Sequence, residues 1–105
     1  MIARIWRGVT FASTAEEYLR YLDETGLREY RDTSGNLGVQ VLRRVDGDRA
    51  EFVLISLWES REAIAAFAGT DPERAVYYPR DDEFLLEKEP LVRHYDVVRG
   101  TPASR

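Results

Sequence analysis

The sequence predicts an α+β domain whose strands and helices follow the order βαββαβ. Residues 52–58 form a strand that is apolar on both faces and runs directly into a helix starting at Ser60. The preceding Asp46-Gly47-Asp48 is a strong hairpin turn, because Asp-Gly tolerates the positive backbone angles of a tight connection. A chain of 105 residues is long enough for one core, so we expect one domain.

The first strand is predicted over residues 2–8, where apolar and charged side chains alternate. Ile2, Arg4 and Trp6 fall on one face of it. This strand should lie close to the strand that carries Trp58, so the two tryptophans are expected in the same region of the sheet.

The first helix is predicted to begin at Thr14, which forms a capping box with Glu17. Apolar residues then follow at helical spacing. Gly26 is predicted to end the helix, and residues 27–32 are predicted to form an irregular turn.

The middle of the chain is predicted to be a hairpin followed by the second helix. The strands cover residues 38–45 and 49–58, on either side of the Asp-Gly turn. Ser60 is placed to cap the helix, and Glu62 lies favourably in its first turn.

The C-terminal part is predicted to contain a short helical turn over residues 71–77 and a polar loop over residues 78–83. The last strand covers residues 91–98. We expect one domain over residues 1–98 and a flexible tail over residues 99–105.

This order is the ferredoxin-like plan, in which two helices cover one side of a four-stranded antiparallel sheet. Helices can therefore cover only one face of the third strand. Its apolar residues are divided between the faces: Phe52, Leu54 and Trp58 on one, and Val53, Ile55 and Leu57 on the other. A second subunit is predicted to cover the remaining face, which makes the protein a homodimer.

Composition excludes several classes of function. There is no cysteine, so disulfides, thiolate nucleophiles and thiolate metal sites are excluded. The net charge of -4 disfavours nucleic acid as a partner. No apolar run approaches the ~20 residues that span a bilayer, and a signal peptide is not apparent, so we expect a cytoplasmic protein without membrane contact.

The strand-to-helix passage and two aromatic segments carry a family pattern: Leu57-Trp58-Glu59-Ser60 with Ala63 and Phe67, Tyr77-Tyr78-Pro79, and His94-Tyr95. Together they resemble the antibiotic biosynthesis monooxygenase-like (ABM) family of dimeric α+β barrels, over residues 2–98. The resemblance implies a cofactor-independent monooxygenase that oxidises a small aromatic, such as a quinol or a polyketide phenol. The alternative is a non-catalytic protein of the same fold that binds or senses a small molecule.

The haem-degrading members of this family combine an asparagine on the first strand with a tryptophan in the second helix and a histidine about ten residues later. Counted from Trp58, the last two positions fall on Phe67 and Tyr77. The first strand contains no asparagine. Haem degradation is therefore not expected, and haem binding is a third and weaker alternative.

His94 is the only histidine and a candidate general base, since an imidazole that titrates near neutrality can take a proton from a phenol or quinol. The alternative is a structural, hydrogen-bonded histidine. Tyr77 is the second candidate catalytic residue, and with Tyr78 it could orient substrate oxygens at the mouth of a pocket. Packing under the loop is the alternative for this pair.

Four more aromatic residues are candidate substrate contacts. Trp58 and Phe67 could shape an aromatic slot, while Trp6 and Tyr18 could form further walls of the same cavity. Packing in the core is the alternative for all four.

We expect neither a cofactor nor a metal ion. The acidic run Asp81-Asp82-Glu83 lacks histidine and regular ligand spacing, so it is interpreted as a solvated loop. Arg4 and Arg93 could hold an anionic substrate or form ion pairs across a dimer interface, and the interface interpretation is favoured.

Overall fold

The computed structural model describes residues 1–100. A short 3-10 turn at Ala12–Thr14 follows the first strand. The helices and strands, in chain order, are β1 (Ile2–Phe11), α1 (Ala15–Glu24), α2 (Gly26–Asp32), β2 (Asn36–Asp46), β3 (Arg49–Trp58), α3 (Arg61–Ala68), α4 (Asp81–Phe84), β4 (Glu87–Lys88) and β5 (Arg93–Asp96). The α+β, ferredoxin-like fold is confirmed.

The antiparallel sheet has the order β2-β3-β1-β4, with β5 also paired to β1. It has five strands where four were predicted, because the last strand position is divided. β4 pairs with Gly8 and Val9, and β5 pairs with residues 2–5 along the same edge of β1. Between them, Pro90 lacks a backbone N–H, and its carbonyl accepts from Ala75 instead.

The start of α1 differs from the predicted capping box. The Thr14 hydroxyl donates to the Phe11 carbonyl, so Thr14 makes no side-chain cap. The first helix ends next to Gly26 as predicted, since α1 stops at Glu24. Gly26 does not adopt the positive φ of a terminating glycine, however, and instead begins α2. The Thr25 hydroxyl instead donates to Tyr21 O at the end of α1, and residues 27–32 are helical.

The hairpin and the helix after it agree with the predictions. Gly47 has φ 62° in the turn between β2 and β3, as expected for a tight hairpin. The Ser60 hydroxyl accepts from Ala63 N at 3.2 Å and caps α3.

Farther along the chain, three predictions differ from the structure. Residues 71–77 are not helical: the Arg74 N–H closes a single turn onto Asp71 O, and the rest of the segment bonds to residues 90–92, including an isolated bridge between Arg74 and Leu91. The predicted loop at 78–83 contains the start of α4. The last strand covers only 93–96 of the predicted 91–98, and residues 101–105 of the predicted tail lie outside the described part of the chain.

The helices cover one face of the sheet. Along β3, alternate residues from Ala50 to Trp58 are buried under them, while the residues between are partly exposed on the open face. Tyr18 from α1 packs edge-on against Phe52, with ring centroids 5.2 Å apart. Within the described residues, no helix has both the length and the apolar character needed to cross a membrane.

Candidate functional site

A small cavity lies between the sheet and the helices that cover it. The space open to the centre of a water-sized sphere is about 30 Å³, which is room for roughly two water molecules. Its wall is mainly aromatic, with two charged residues: Arg4, Trp6, Tyr18, Leu22, Gly26, Tyr30, Leu54, Phe67, Val76, Tyr77, Tyr78 and Asp81.

Trp6 and Tyr77 form a polar pair at the cavity wall. The indole Nε1 of Trp6 donates to the Tyr77 hydroxyl at 3.0 Å, and that hydroxyl donates to Glu89 O. Gly8 makes room for the indole, because a Cβ there would lie 2.4 Å from the Trp6 ring. Burial raises the pKa of Tyr77, so its hydroxyl is neutral and acts as a donor.

Tyr78 and Asp81 connect the irregular segment to the helices. The Tyr78 hydroxyl donates to Glu29 Oε2 at 2.6 Å, and its backbone N–H donates to Asp81 Oδ2 at 2.6 Å. Asp81 is buried although it belongs to an acidic run. Burial raises the pKa of its carboxyl, which places the group nearer the range of a general base.

Arg4 is the buried cation of the cavity, with only 2% of its surface exposed. Its guanidinium donates to Arg74 O at 2.9 Å and more weakly to Pro72 O at 3.5 Å. Its Cζ lies 5.4 Å from the centre of the Phe67 ring. Burial lowers the pKa of Arg4. The interface interpretation of Arg4 is wrong, because the side chain lies on the helix-covered face.

The model of the antibiotic biosynthesis monooxygenase family matches residues 9–77 of this sequence. The chain belongs to this family. The resemblance predicted from the strand-to-helix passage is therefore confirmed. No protein of curated function matches the sequence.

Solved structures give the same fold for this ABM chain. A candidate antibiotic biosynthesis monooxygenase from Bacillus cereus has 16% identity and a TM-score of 0.68, with 97% of each chain covered. A similar candidate from Nitrosomonas europaea has 18% identity and a TM-score of 0.64, covering 94% of this chain and all of the other. The haem degrader MhuD from Mycobacterium tuberculosis, with two haems in its active site, has 22% identity and a TM-score of 0.61, covering 97% of this chain and 100% of its own.

The ABM fold brings most of the predicted site residues to one place. The ones that line the cavity are Trp6, Tyr18, Phe67, Tyr77 and Tyr78. Trp58 does not line it. Its side chain is fully buried in the core, where its Nε1 donates to Ser56 Oγ at 2.9 Å. Its ring lies 5.6 Å from that of Phe67 and supports it from behind.

His94 also lies outside the cavity lining of this ABM protein. It is on β5, directly opposite Arg4 of β1, and its Nε2 is buried without a hydrogen-bond partner. Burial lowers the pKa of His94, and the charges of Arg4 and Arg61 act in the same direction. His94 and Tyr77 therefore do not share the lining of one cavity.

Sequence reasoning missed Asp81 and Tyr30, and it assigned Arg4 to the wrong surface. A signal for Arg4 was present, since it shares one face of the first strand with the apolar residues Ile2 and Trp6. Asp81 had no local signal, because its neighbours in the acidic run are exposed.

The cavity of this ABM protein, with room for roughly two water molecules, is smaller than a haem. Its lining contains no histidine, although a tyrosine such as Tyr77 can also ligate haem iron. Within residues 1–100, no group of three or more potential ligands is placed to hold a metal ion.

Proposed function

We propose that the protein oxidises a small quinol or phenol with molecular oxygen, without a cofactor, in the cavity under the helices. The observation that carries this proposal is the combination of an aromatic wall, the Trp6–Tyr77 donor pair and the buried carboxylate of Asp81 around one space. Membership of the ABM family supports the reaction class, although a fold alone does not define a reaction.

The aromatic walls hold the substrate ring between Phe67 and Tyr18. The Tyr77 hydroxyl turns from Glu89 O to donate to a substrate oxygen, and Trp6 Nε1 continues to donate to Tyr77. A developing phenolate is stabilised by this neutral donor. Because the cavity is small, the irregular segment that carries Tyr77 and Tyr78 must move outward to admit a ring.

The reaction balances without a reductant, because the substrate supplies all the electrons. A quinol and O2 give a hydroxyquinone and water, with one oxygen atom in each product. The protein has to remove a proton from the quinol, which makes the ring electron-rich enough to react with O2.

Asp81 is the base that we assign to this proton transfer, since its carboxylate lines the cavity and burial raises its pKa. His94, the base predicted from the sequence, is the rival. Asp81→Asn preserves the size of the side chain and an oxygen that can accept from Tyr78 N–H. With hydroquinone, which has no carboxylate, we expect this variant to lower kcat at least about a hundredfold, and His94→Ala to leave kcat within a few-fold of the parent; the reverse pattern would restore His94 as the base.

Oxygen consumption tests the proposal directly. With hydroquinone or 2,5-dihydroxybenzoate, the protein should deplete oxygen faster than a protein-free control. Tyr77→Phe should lower kcat/KM about tenfold or more, while Tyr95→Phe, on the open sheet face, should not. Binding of these probes without oxygen depletion would support the alternative, a non-catalytic binding protein. Haem titration should give no Soret shift.

We also propose that the protein is a homodimer that covers the open face of the sheet. Support comes from the apolar residues along the middle of that face, including Ile5, Val53 and Ile55, which are only partly buried in one chain. Leu42 and Tyr95 on the same face are 46% and 50% exposed. An apolar surface of this kind is typical of a self-association site.

A further inference from the structure

We propose that Arg4 binds a carboxylate of the substrate, so that the natural ligand is an acidic aromatic compound. The inference deepens the proposed function, since it names the chemical class of molecule that the same cavity takes. It is carried by the hydrogen bonding and burial of Arg4, and not by the family.

A guanidinium is unfavourable in a protein interior unless its charge and its N–H groups are compensated. Arg4 is almost fully buried, yet its hydrogen-bond partners are two neutral backbone carbonyls, of Arg74 and Pro72. Within residues 1–100, the only buried side-chain nitrogen or oxygen atoms without a partner are Arg4 Nε and His94 Nε2. Both belong to residues that lie directly opposite each other on β1 and β5.

No carboxylate of the described residues forms an ion pair with Arg4. Asp81, the carboxylate that also lines the cavity, accepts from the Tyr78 backbone instead. Arg7 provides the contrast within the same strand. Arg7 is more exposed than Arg4 and lies on the open face, and it forms ion pairs with Glu51, Glu87 and Glu89. The buried arginine is therefore the one whose negative partner is missing.

The surroundings of His94 favour an anion at the same place. Arg4 and Arg61 add positive charge there, and Glu73 is the acidic residue that opposes them. A carboxylate carries two acceptor oxygens, so it can accept from Arg4 Nε and from His94 when Nε2 bears the proton. The Arg4 contact with the Phe67 ring places this anion beside the aromatic wall, so one small molecule can use both. That combination selects a ring with an acidic substituent over a neutral ring.

Two matched probes test the inference: 2,5-dihydroxybenzoate and 2,5-dihydroxybenzamide. They share a ring and both hydroxyls, and differ in the charge of one substituent. Isothermal titration calorimetry with the parent protein should give a dissociation constant at least about tenfold lower for the acid. Arg4→Gln should abolish this preference by weakening the acid alone. Arg7→Gln, the same change on the same strand, should keep it.

Equal affinity of the parent protein for the acid and the amide overturns the inference, and so does the absence of measurable binding of the acid. This comparison needs no variant, so it stands even if Arg4→Gln fails to fold. Oxygen consumption separates the two proposals. Preferential binding of the acid without turnover would contradict the proposed oxidation and support the Arg4 site. Equal turnover of the acid and the amide would support the oxidation and contradict the Arg4 site.

Discussion

The two faces of the sheet are formed by the same strands but are buried to different extents. On the helix-covered face, Ala50, Phe52 and Trp58 of β3 have no exposed surface. On the open face, the residues between them remain partly exposed in one chain. The folding of the monomer therefore depends on the covered face, and the apolar residues of the open face are the basis of the proposed dimer.

The charged side chains also differ between the two faces, both in burial and in pairing. The charges at the end of the open face, such as Arg7 and Glu51, are partly exposed and paired with each other. On the covered face, Arg4 and Asp81 are buried, and neither has a carboxylate or guanidinium partner among the described residues. Exposed paired charges need no further partner, whereas buried unpaired ones do. This contrast is why we place ligand chemistry under the helices.

Two substitutions at neighbouring positions of β3 should differ most in their effect on the free energy of unfolding. Phe52→Ala removes a fully buried ring and should lower the free energy of unfolding by about 3–5 kcal/mol. Val53→Ala, one residue along on the open face, should cost less than about 1.5 kcal/mol. Urea unfolding followed by circular dichroism measures both, and equal losses would contradict the contrast between the faces.

A charge on the open face should separate the subunits without unfolding them. Ile55→Glu places a carboxylate in the middle of the apolar surface, and the dimer should dissociate at least about a hundredfold more readily, since an unpaired charge would be buried. Sedimentation equilibrium measures the mass. Arg31→Glu, on the exposed surface of α2, is the control and should remain dimeric. A dimeric Ile55→Glu variant, or a monomeric parent, would contradict the proposal.

Asp81→Asn should stabilise the protein more at neutral pH than in acid. Folding raises the pKa of this carboxyl above its ordinary value of 3.8. The folded chain therefore keeps the proton in the window just above 3.8, where the unfolded chain has released it. The stability contributed by this proton is present below 3.8 and lost as the pH rises through the folded pKa. Thermal unfolding at several pH values should show a Tm difference, variant minus parent, that grows with pH; a constant difference would contradict the assignment.

Removing a charge from the open face should have the smallest effect. Arg7 pairs with Glu51 near the surface, and ion pairs of this kind contribute about 0.2–1 kcal/mol. Arg7→Gln should therefore change the unfolding free energy by no more than about 1 kcal/mol, and less at high salt. A larger loss in urea unfolding would mean that this charge cluster does more for the monomer than we infer.

The assignment of residues to the two faces of the sheet could be predicted from the sequence, because side chains alternate between the faces along any strand. Residues 52–58 follow this alternation one by one. The helix boundary at Gly26 depended on which hydroxyl and carbonyl meet at Thr25, and the divided last strand depended on Pro90 pairing with a distant segment. The Pro90 contact cannot be predicted from a local pattern, because its two residues are fifteen positions apart.

The candidate site was predictable to a different degree. Aromatic residues on the helices and strands were identifiable as possible walls, and five of them meet at the cavity. Separating Trp6, which lines it, from Trp58, which packs behind Phe67, requires three-dimensional packing. Burial of Asp81 also requires three-dimensional packing to predict, because the other residues of its acidic run are exposed.

The two tryptophans also provide the most direct test of the central claim, that the ligand binds under the helices. Trp6 Nε1 donates to Tyr77 at the cavity, and Trp58 Nε1 donates to Ser56 outside it. In a heteronuclear NMR titration with 2,5-dihydroxybenzoate, the indole N–H signal of Trp6 should shift well beyond that of Trp58, and amides of the open face should stay in place. Shifts confined to the open face, or an unmoved Trp6 signal at saturation, would contradict the account.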